Sequence, residues 1–320
     1  MDIELLRERA RIIRDIRDFF DGRDYLETDT PLLAPDLIPE SCLEVFETFL
    51  ITPAGGCDGS RSEKKPLWLI PSPEIWMKRL IAKHKTSIYQ ICKSFRNVES
   101  TGNQHNFEFS MLEYYTVNAD YKDSLAVTEE LFAELGVCKE LSPPFIRMTV
   151  GEAFLRWAGF DLYAASRDTM EEEARRLGLN PPGDLSVQAL FDLIFIHAVE
   201  PNLRLERPIA LLDYPAFVPC LAKKSPDGMV NERWELYVRG IELANCFTEE
   251  TDREVVRAFF ESEQKKKKES ALVPHNIDKD YPGIFKDFPR CSGVAMGLDR
   301  LIMAMCKRSS IDSVLPFPPN

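Results

Sequence analysis

No C-x-x-C pair occurs among the eight cysteines, at positions 42, 57, 92, 138, 220, 246, 291 and 306, which excludes that metal and redox motif. Several of them sit in apolar runs such as YQICKSF, and they are expected to be reduced, partly buried thiols of a cytoplasmic protein. The N-terminus, MDIELLRERARIIRDI, has no uninterrupted apolar core, which excludes a secretory signal and a first membrane span. Positive charge is in deficit: 40 Lys and Arg stand against 52 Asp and Glu, for a net charge of −12. That balance opposes broad attachment to a polyphosphate chain, although it leaves room for one local basic site. There is no Walker loop and no G-x-G-x-x-G, so any nucleotide must be held without a glycine phosphate cradle. No repeat is present, and low complexity is confined to lysines 265–268, which read as a solvated helix end.

What is present is ordinary globular chemistry: 320 residues, 44% hydrophobic and 29% charged, enough for one large core or two modest ones without metal or disulfide staples. Residues 2–20 carry Ile3, Leu6, Ala10, Ile13, Ile16 and Phe20 at helical spacing, and Pro31 forces Thr30 extended. LEVFETFLI and PLWLIPS read as strands, Pro73 opens a helix through EIWMKRLIA, and SIYQICKSFRNV with FEFSMLEYYTV gives two adjacent strands. TVGEAF matches a capping box, and TMEEEARRLG and VQALFDLIFIHAVE are helical, so residues 149–200 read as a helical insertion. Strands return in WELYVRGIELANCF, followed by the charged helix REVVRAFFESEQKKKKES and by CSGVAMGLDRLIMAM. Hairpins without regular βαβ alternation predict an α+β fold, an antiparallel sheet flanked by helices.

Residues 94–115, SFRNVESTGNQHNFEFSMLEYY, carry more polar equipment than a connection needs. Strand alternation puts Phe109, Met111, Glu113 and Tyr115 on one face and Glu108, Ser110, Leu112 and Tyr114 on the other. The preceding strand adds Gln90, Cys92, Ser94 and Arg96, and the loop adds Asn97, Glu99, Asn103, Gln104, His105 and Asn106, a set that suits a small polar ligand. Taken alone, Arg96 is as readily a surface ion-pair residue and His105 a loop histidine.

As a whole, that string resembles motif 2 of the class II aminoacyl-tRNA synthetases, in the lysyl branch, whose pattern runs R-N-E-x(5)-H-N-P-E-F-T-M-x-E-x-Y. FFDGRDYLETDTPLL resembles motif 1, GIELANCFTEETD resembles G-I-E-L-A-N-G-F-x-E-x-T-D, and CSGVAMGLDRLIMAM resembles motif 3. The resemblance implies one class II synthetase-like catalytic domain over residues 1–320, and since motif 1 begins almost at Met1, no anticodon-binding domain is expected ahead of it. Within the family it points to the truncated branch that attaches (R)-β-lysine to elongation factor P. Ala295 stands where that branch has alanine and the tRNA-charging enzymes have glycine, a methyl-scale change of the kind worth roughly 1–3 kcal/mol.

The implied chemistry is activation of an amino acid by ATP, with Mg²⁺, followed by acyl transfer to a lysine amine of elongation factor P; β-lysine or lysine is the implied substrate. Arg96 and Arg300 are the implied catalytic residues, two planar forks on the carboxylate and phosphates. Asn97, Val98, Glu99, His105, Asn106, Glu242, Leu243 and Gly297 match the remaining ATP positions. Glu242 and Glu249 match the carboxylates that hold Mg²⁺. Seven residues apart, they would point oppositely on an ideal strand, so either ANCF bends or bulges the chain or Glu249 reaches the substrate amine instead. Ser72, Pro73, Glu74, Tyr115, Glu249 and Ala295 are the implied amino-acid contacts, acidic groups for ammonium and an aromatic for the methylene stem. Without the resemblance, Ser-Pro-Glu is simply a helix start and the two glutamates belong to a half-exposed strand.

Several positions depart from the pattern. Val98 replaces an acidic residue, the loop from Arg96 to Asn106 is one residue longer, Phe107 replaces proline, Cys246 replaces glycine, and Thr248 stands where the branch often has histidine. By resemblance, motif 1 builds a homodimer, with Pro31 and helix 2–20 against a second copy, though a helix buried within the chain would show the same stripe. No stable tRNA binding and no membrane partner are expected. Two other functions stay open from the sequence: a lysyl-adenylate enzyme that charges tRNA or another acceptor, and a non-catalytic synthetase-like binding protein, which Val98 keeps in play while Arg96 and Arg300 oppose it.

Overall fold

The computed structural model describes residues 3–52, 63–98 and 102–318; Glu99 and Cys57 lie outside the described residues. Helix α1 (Ile3–Asp21) buries Ile12, Ile16, Phe19 and Phe20 completely, at i, i+4, i+7 and i+8. These side chains join the chain's own core; of the stripe expected to meet a second copy, Ile16 and Phe20 are covered in this way, Leu6 and Ile13 are half-buried, and Ile3, Ala10 and Pro31 are exposed.

Eleven strands follow among the described residues: β1 (Leu26–Glu27), β2 (Leu33–Ala34), β3 (Glu47–Thr52), β4 (Glu63–Leu69), β5 (Ile88–Phe95), β6 (Glu108–Val117), β7 (Ile146–Thr149), β8 (Ile209–Pro215), β9 (Val230–Val238), β10 (Ile241–Thr248) and β11 (Cys291–Gly297). The main sheet has eight strands in the order β1-β5-β6-β11-β10-β9-β8-β7, and β2-β4-β3 form a separate small sheet. All pairings of the main sheet are antiparallel, as expected of the α+β fold, except those at its two edges, β1 with β5 and β7 with β8, which are parallel and make the sheet mixed. The turn from β9 to β10 is Arg239-Gly240, both left-handed at φ 52° and 79°, the conformation of a tight hairpin.

The two faces of the central strands differ in chemistry. One face carries Leu112, Tyr114, Trp234, Leu236, Ala244, Cys246, Val294 and Met296 into a core closed by α1, α3 (Tyr121–Glu134) and α8 (Leu298–Met305). Over the other face lie α2 (Glu74–His84) and α7 (Arg253–Ser270), which pack with Tyr115, Tyr281 and Phe285 at one end and leave the rest as a cavity. In the predicted lysine run, Lys267 departs from a solvated face: it is buried, and its Nζ donates to Leu43 O at 2.7 Å.

The insertion contains α4 (Val150–Ala153), α5 (Arg167–Arg176) and α6 (Val187–Ile194), with π-helical turns over Phe154–Ala158 and Phe195–Val199. Thr149 and Glu152 form the capping box read from the sequence. The segment has its own apolar cluster, in which Phe154 and Phe191 stack at 5.2 Å, and this cluster rests on β8 through Ile209 and Leu211. Among the described residues, no helix is long and apolar enough to cross a membrane.

One buried ion pair ties α1, α8 and β6 together. Arg9 reaches Asp299 Oδ1 at 2.7 Å, and the other oxygen of Asp299 accepts the Ser110 amide at 2.6 Å. Asp299→Ala would leave the Ser110 amide without its acceptor and the Arg9 charge without its counter-ion, with only Ser110 Oγ at 3.0 Å from Nη2, and the expected loss is about 3–5 kcal/mol. Urea denaturation checks this; a loss below about 1 kcal/mol, the scale of a surface pair, would contradict it.

Candidate active site

The cavity of about 400 Å³ is built on the polar face of the sheet. Its floor follows from strand register. Ala295 on β11 pairs with Asn245 on β10 and Glu113 on β6, and Gly293 pairs with Phe247 and Tyr115. Glu242 belongs to this face because the β9–β10 pairing shifts between Glu242 and Ala244, leaving Leu243 as an extra residue. The bulge required by the spacing of Glu242 and Glu249 is therefore present, at Leu243, one residue ahead of ANCF.

The cavity brings together Arg96, His105, Asn106, Glu242, Leu243, Gly297 and Arg300 with Ser72, Glu74, Tyr115, Glu249 and Ala295. Three other candidate positions do not line it. Pro73 caps the start of α2, Asn97 donates its side-chain amide to Val45 O at 3.2 Å, and Val98 stands exposed in left-handed backbone at φ 58°.

At one end the groups are basic. Arg300 donates to Gln104 O at 3.0 Å and to Glu242 O at 2.6 Å, and its Nη2 lies 3.2 Å from His105 Nδ1. Its stem runs beside Gly297, where an added Cβ would stand 3.4 Å from Arg300 Cδ. Arg96 lies 5.2 Å over the Phe109 ring, with Nε buried and without a hydrogen-bond partner among the described residues. The Glu242 carboxyl opens into the cavity; the protein around it, then Glu235, push its pKa up to about 7, against the opposing pull of Arg300.

At the other end the groups are acidic. Tyr115 donates to Glu113 Oε1 at 2.5 Å, while Glu113 Oε2 is buried and has no hydrogen-bond partner among the described residues. Burial, then the neighbouring Glu74 carboxylate, push Glu113 up to about 8. Glu249 meets Lys78 Nζ at 2.5 Å through Oε2, and its Oε1 is buried without a hydrogen-bond partner among the described residues. Lys78 also reaches Glu74 Oε1 at 2.6 Å. Burial opposes both charges of this pair and pushes Glu249 up to about 8 against the pull of Lys78, while Glu249 and Glu74, two carboxylates around one ammonium, hold Lys78 well above the ordinary lysine value.

Glu242 and Glu249 thus share one cavity but sit at its opposite ends, roughly 20 Å apart along the strand at its usual rise. Glu242 fits a cation carried in on phosphates: it is an oxygen donor facing the arginine end, and Mg²⁺ characteristically takes one or two carboxylates plus phosphate oxygens. Glu249, engaged with Lys78, does not join it there. Among the described residues, no three His, Cys, Asp or Glu side chains converge into a cage of their own.

Four departures from the motif pattern fall away from the cavity. Cys246 faces the core, 3.3 Å from Ser292 Oγ; Thr248 accepts the Tyr121 amide at 3.0 Å; Phe107 is exposed and packs edge-on against Phe46; Val98 is described above. Sequence reading missed Lys78, Glu113, Gly293 and Glu40 as site residues. The i, i+4 spacing of Glu74 and Lys78 and the shared face of Glu113 and Tyr115 were visible signals. Glu40, in an irregular segment, had none.

A mostly antiparallel sheet with Arg96 and Arg300 at one end of its polar face, a glutamate just ahead of a bulge and a strand-to-helix turn leading into Arg300 defines a class II aminoacyl-tRNA synthetase domain. The sequence model described as tRNA synthetases class II (D, K and N) matches residues 3–320, and the chain belongs to this family. It is 36% identical over 317 residues to a protein of Avibacterium paragallinarum named elongation factor P (R)-beta-lysine ligase, covering 98% of this chain and 95% of that protein. Proteins of the same name from Photobacterium profundum and Vibrio atlanticus are 37% and 38% identical, each covering 99% of this chain and 96% of the relative.

Gly293 is the tightest point of the acidic end: a Cβ there would lie 2.5 Å from Tyr115 Cε1 and 2.7 Å from Glu249 Oε1. Gly293→Ala is expected to weaken binding of an ammonium-bearing ligand by roughly tenfold or more, the effect of overpacking by one methyl. Calorimetry with such a ligand and with ATP separates the ends; equal weakening of both would contradict a local effect.

Proposed function

We propose that the protein is an ATP-dependent ligase that activates (R)-β-lysine or lysine as an aminoacyl-adenylate and transfers it to a lysine side chain of elongation factor P. The observation that carries this reading is the polarity of one cavity: arginines at one end, and at the other two buried carboxylate oxygens, Glu113 Oε2 and Glu249 Oε1, without hydrogen-bond partners among the described residues. A molecule with a carboxylate at one end and ammonium groups at the other matches it. The names of the similar proteins give the acyl group and the acceptor.

In the first step an oxygen of the amino-acid carboxylate attacks the α-phosphorus of ATP, and the bond to the β-phosphate oxygen breaks to release pyrophosphate. Arg96, over the Phe109 ring at the basic end, would neutralise both the attacking carboxylate and the α-phosphate. Arg300, fixed by two backbone carbonyls, would hold the outer phosphates in line. Glu242 would hold Mg²⁺, which when bound neutralises phosphate charge. Glu113, Glu249 and Glu74 would fix the amines and so the carboxylate's position. In the second step the acceptor's neutral lysine amine attacks the acyl carbon, AMP leaves, and the amine gives up its proton. Ala295, in the floor between Glu113 and Asn245, narrows the amino-acid end by one methyl, worth roughly 1–3 kcal/mol between substrates.

The purified protein is expected to exchange pyrophosphate into ATP with (R)-β-lysine and, more weakly, with lysine, and Arg300→Ala is expected to lower the rate by roughly 100-fold or more. No exchange with any lysine isomer would remove the enzymatic reading. Parallel incubation with elongation factor P and with tRNA, followed by mass analysis, should find the acyl group on the protein; acylated tRNA alone would reverse the choice of acceptor.

The homodimer belongs to the same reading. With Ile12, Ile16, Phe19 and Phe20 of α1 turned inward, the exposed apolar side chains of Leu33, Phe49, Leu50 and Ile51 on the small sheet are the surface proposed to meet a second copy. Sedimentation should give a dimer that Leu50→Lys weakens; a monomer at micromolar concentration would dismiss it.

A further inference from the structure

Lys78 lies behind the acidic end of the cavity and is not part of its wall. It is fully buried, with Nζ 2.6 Å from Glu74 Oε1, 2.5 Å from Glu249 Oε2 and 5.3 Å from the centre of the Phe247 ring. Glu74 and Lys78 stand one turn apart on α2, and Glu249 follows the last residue of β10, so the contact joins the covering helix to the sheet. A buried ion pair is a poor device for stability alone, because an apolar side chain of similar size usually packs there at no greater cost. The apolar side chains of α2, Ile75, Met77 and Ile81, already perform that packing.

The pair does fix which oxygens meet a ligand. Lys78 engages Oε2 of Glu249, and the remaining Oε1 points across Gly293, where it would lie 2.7 Å from an added Cβ. Glu113 repeats the arrangement: Tyr115 holds one oxygen, and the other is buried without a hydrogen-bond partner among the described residues. Each carboxylate thus has one oxygen fastened by a protein donor and one available to an incoming ammonium.

We propose that Lys78 is a positioning and specificity-determining residue, which holds Glu74 and Glu249 so that one oxygen of each faces the amines of the amino acid, and supplies their counter-charge while the pocket is empty. This assignment rests on the reading of the acidic end as the amine-binding end. Lys78 touches neither substrate nor nucleotide; it acts through the two glutamates. Without it, two close carboxylates repel each other, and the amino acid must first reorder them before it can bind.

The test is pyrophosphate exchange by the full chain as wild type, Lys78→Met, Glu249→Gln and the double variant. Wild type that fails with every lysine isomer overturns the function proposed above, and this inference with it. With wild type active, Lys78→Met is expected to raise the KM for the amino acid by about tenfold or more, the scale of coupled neighbours, while the KM for ATP stays within about threefold. Added to Glu249→Gln, the same change should raise the amino-acid KM by a clearly smaller factor, because the group it positions is already altered. An unchanged amino-acid KM, a parallel rise in both KM values, or equal factors in the two backgrounds would overturn the role. If Lys78→Met does not fold, the double variant, which lacks both charges of the contact, is compared with Glu249→Gln: amino-acid KM values within about threefold support the proposal, and a difference of about tenfold or more overturns it.

Discussion

Strand alternation is the constraint on which the rest of the structure depends. A central strand must give every second side chain to a core closed by helices, and only the residues between are left for chemistry. On β11 this assigns Val294 and Met296 to the core and leaves Gly293, Ala295 and Gly297 to the cavity; on β6 it assigns Leu112 and Tyr114 to the core and leaves Met111, Glu113 and Tyr115. A rule with period two cannot place both Glu242 and Glu249 on one face, since their spacing is odd. The extra residue at Leu243 reconciles them, so the bulge is what admits Glu242 to the basic end without moving the core residues Ala244 and Cys246.

The second requirement is charge balance within the cavity. Three guanidinium groups, those of Arg96, Arg233 and Arg300, and several carboxylates line a single cavity, and a mixture in contact would neutralise itself and leave nothing for a ligand. The floor avoids this by separation. The basic end lies near Gly297 and the acidic end near Gly293, four residues along β11, roughly 13 Å at the usual rise of a strand. Within the acidic end the protein satisfies part of each carboxylate, through Tyr115 or Lys78, and leaves the rest unpaired. Buried unpaired oxygens cost stability, and such a cost is consistent with a site whose ligand supplies the missing donors.

Much of this was legible in the sequence because it is local. The amphipathic run gave α1, the capping box at Thr149 gave the start of the insertion, and the alternation in FEFSMLEYY separated Met111, Glu113 and Tyr115, which line the cavity, from Leu112 and Tyr114, which enter the core. What was not legible depends on which surface meets which. The stripe of α1 has the same pattern whether a second copy or its own sheet covers it, and the structure puts its C-terminal part, through Phe20, against Tyr89 and Tyr114 while Ile3 and Ala10 stay exposed. The parallel edges β1 and β7 are short, and no periodicity distinguishes their direction. Lys78 was hidden because a lysine on a helix is ordinarily solvated, and only the approach of Glu249 from a distant strand makes it a counter-ion. Lys267 was misjudged for the same reason: the carbonyl of Leu43 lies more than two hundred residues away in the chain.

The departures from the family pattern can be ordered by the same alternation. Cys246 falls on the core side of β10, so a side chain larger than glycine is absorbed by packing against Ser292 and leaves the cavity floor as it was. Thr248, next on that face, holds the start of α3 through the Tyr121 amide. Phe107 and Val98 lie outside the cavity, where their contacts are with Phe46 and with the side chain of Asn97. Ala295 is different, because its methyl group stands on the floor between Glu113 and Asn245. A chain can therefore vary at Cys246, Thr248, Phe107 and Val98 without altering the cavity floor, and Ala295 is the position whose methyl group alternation points into the cavity.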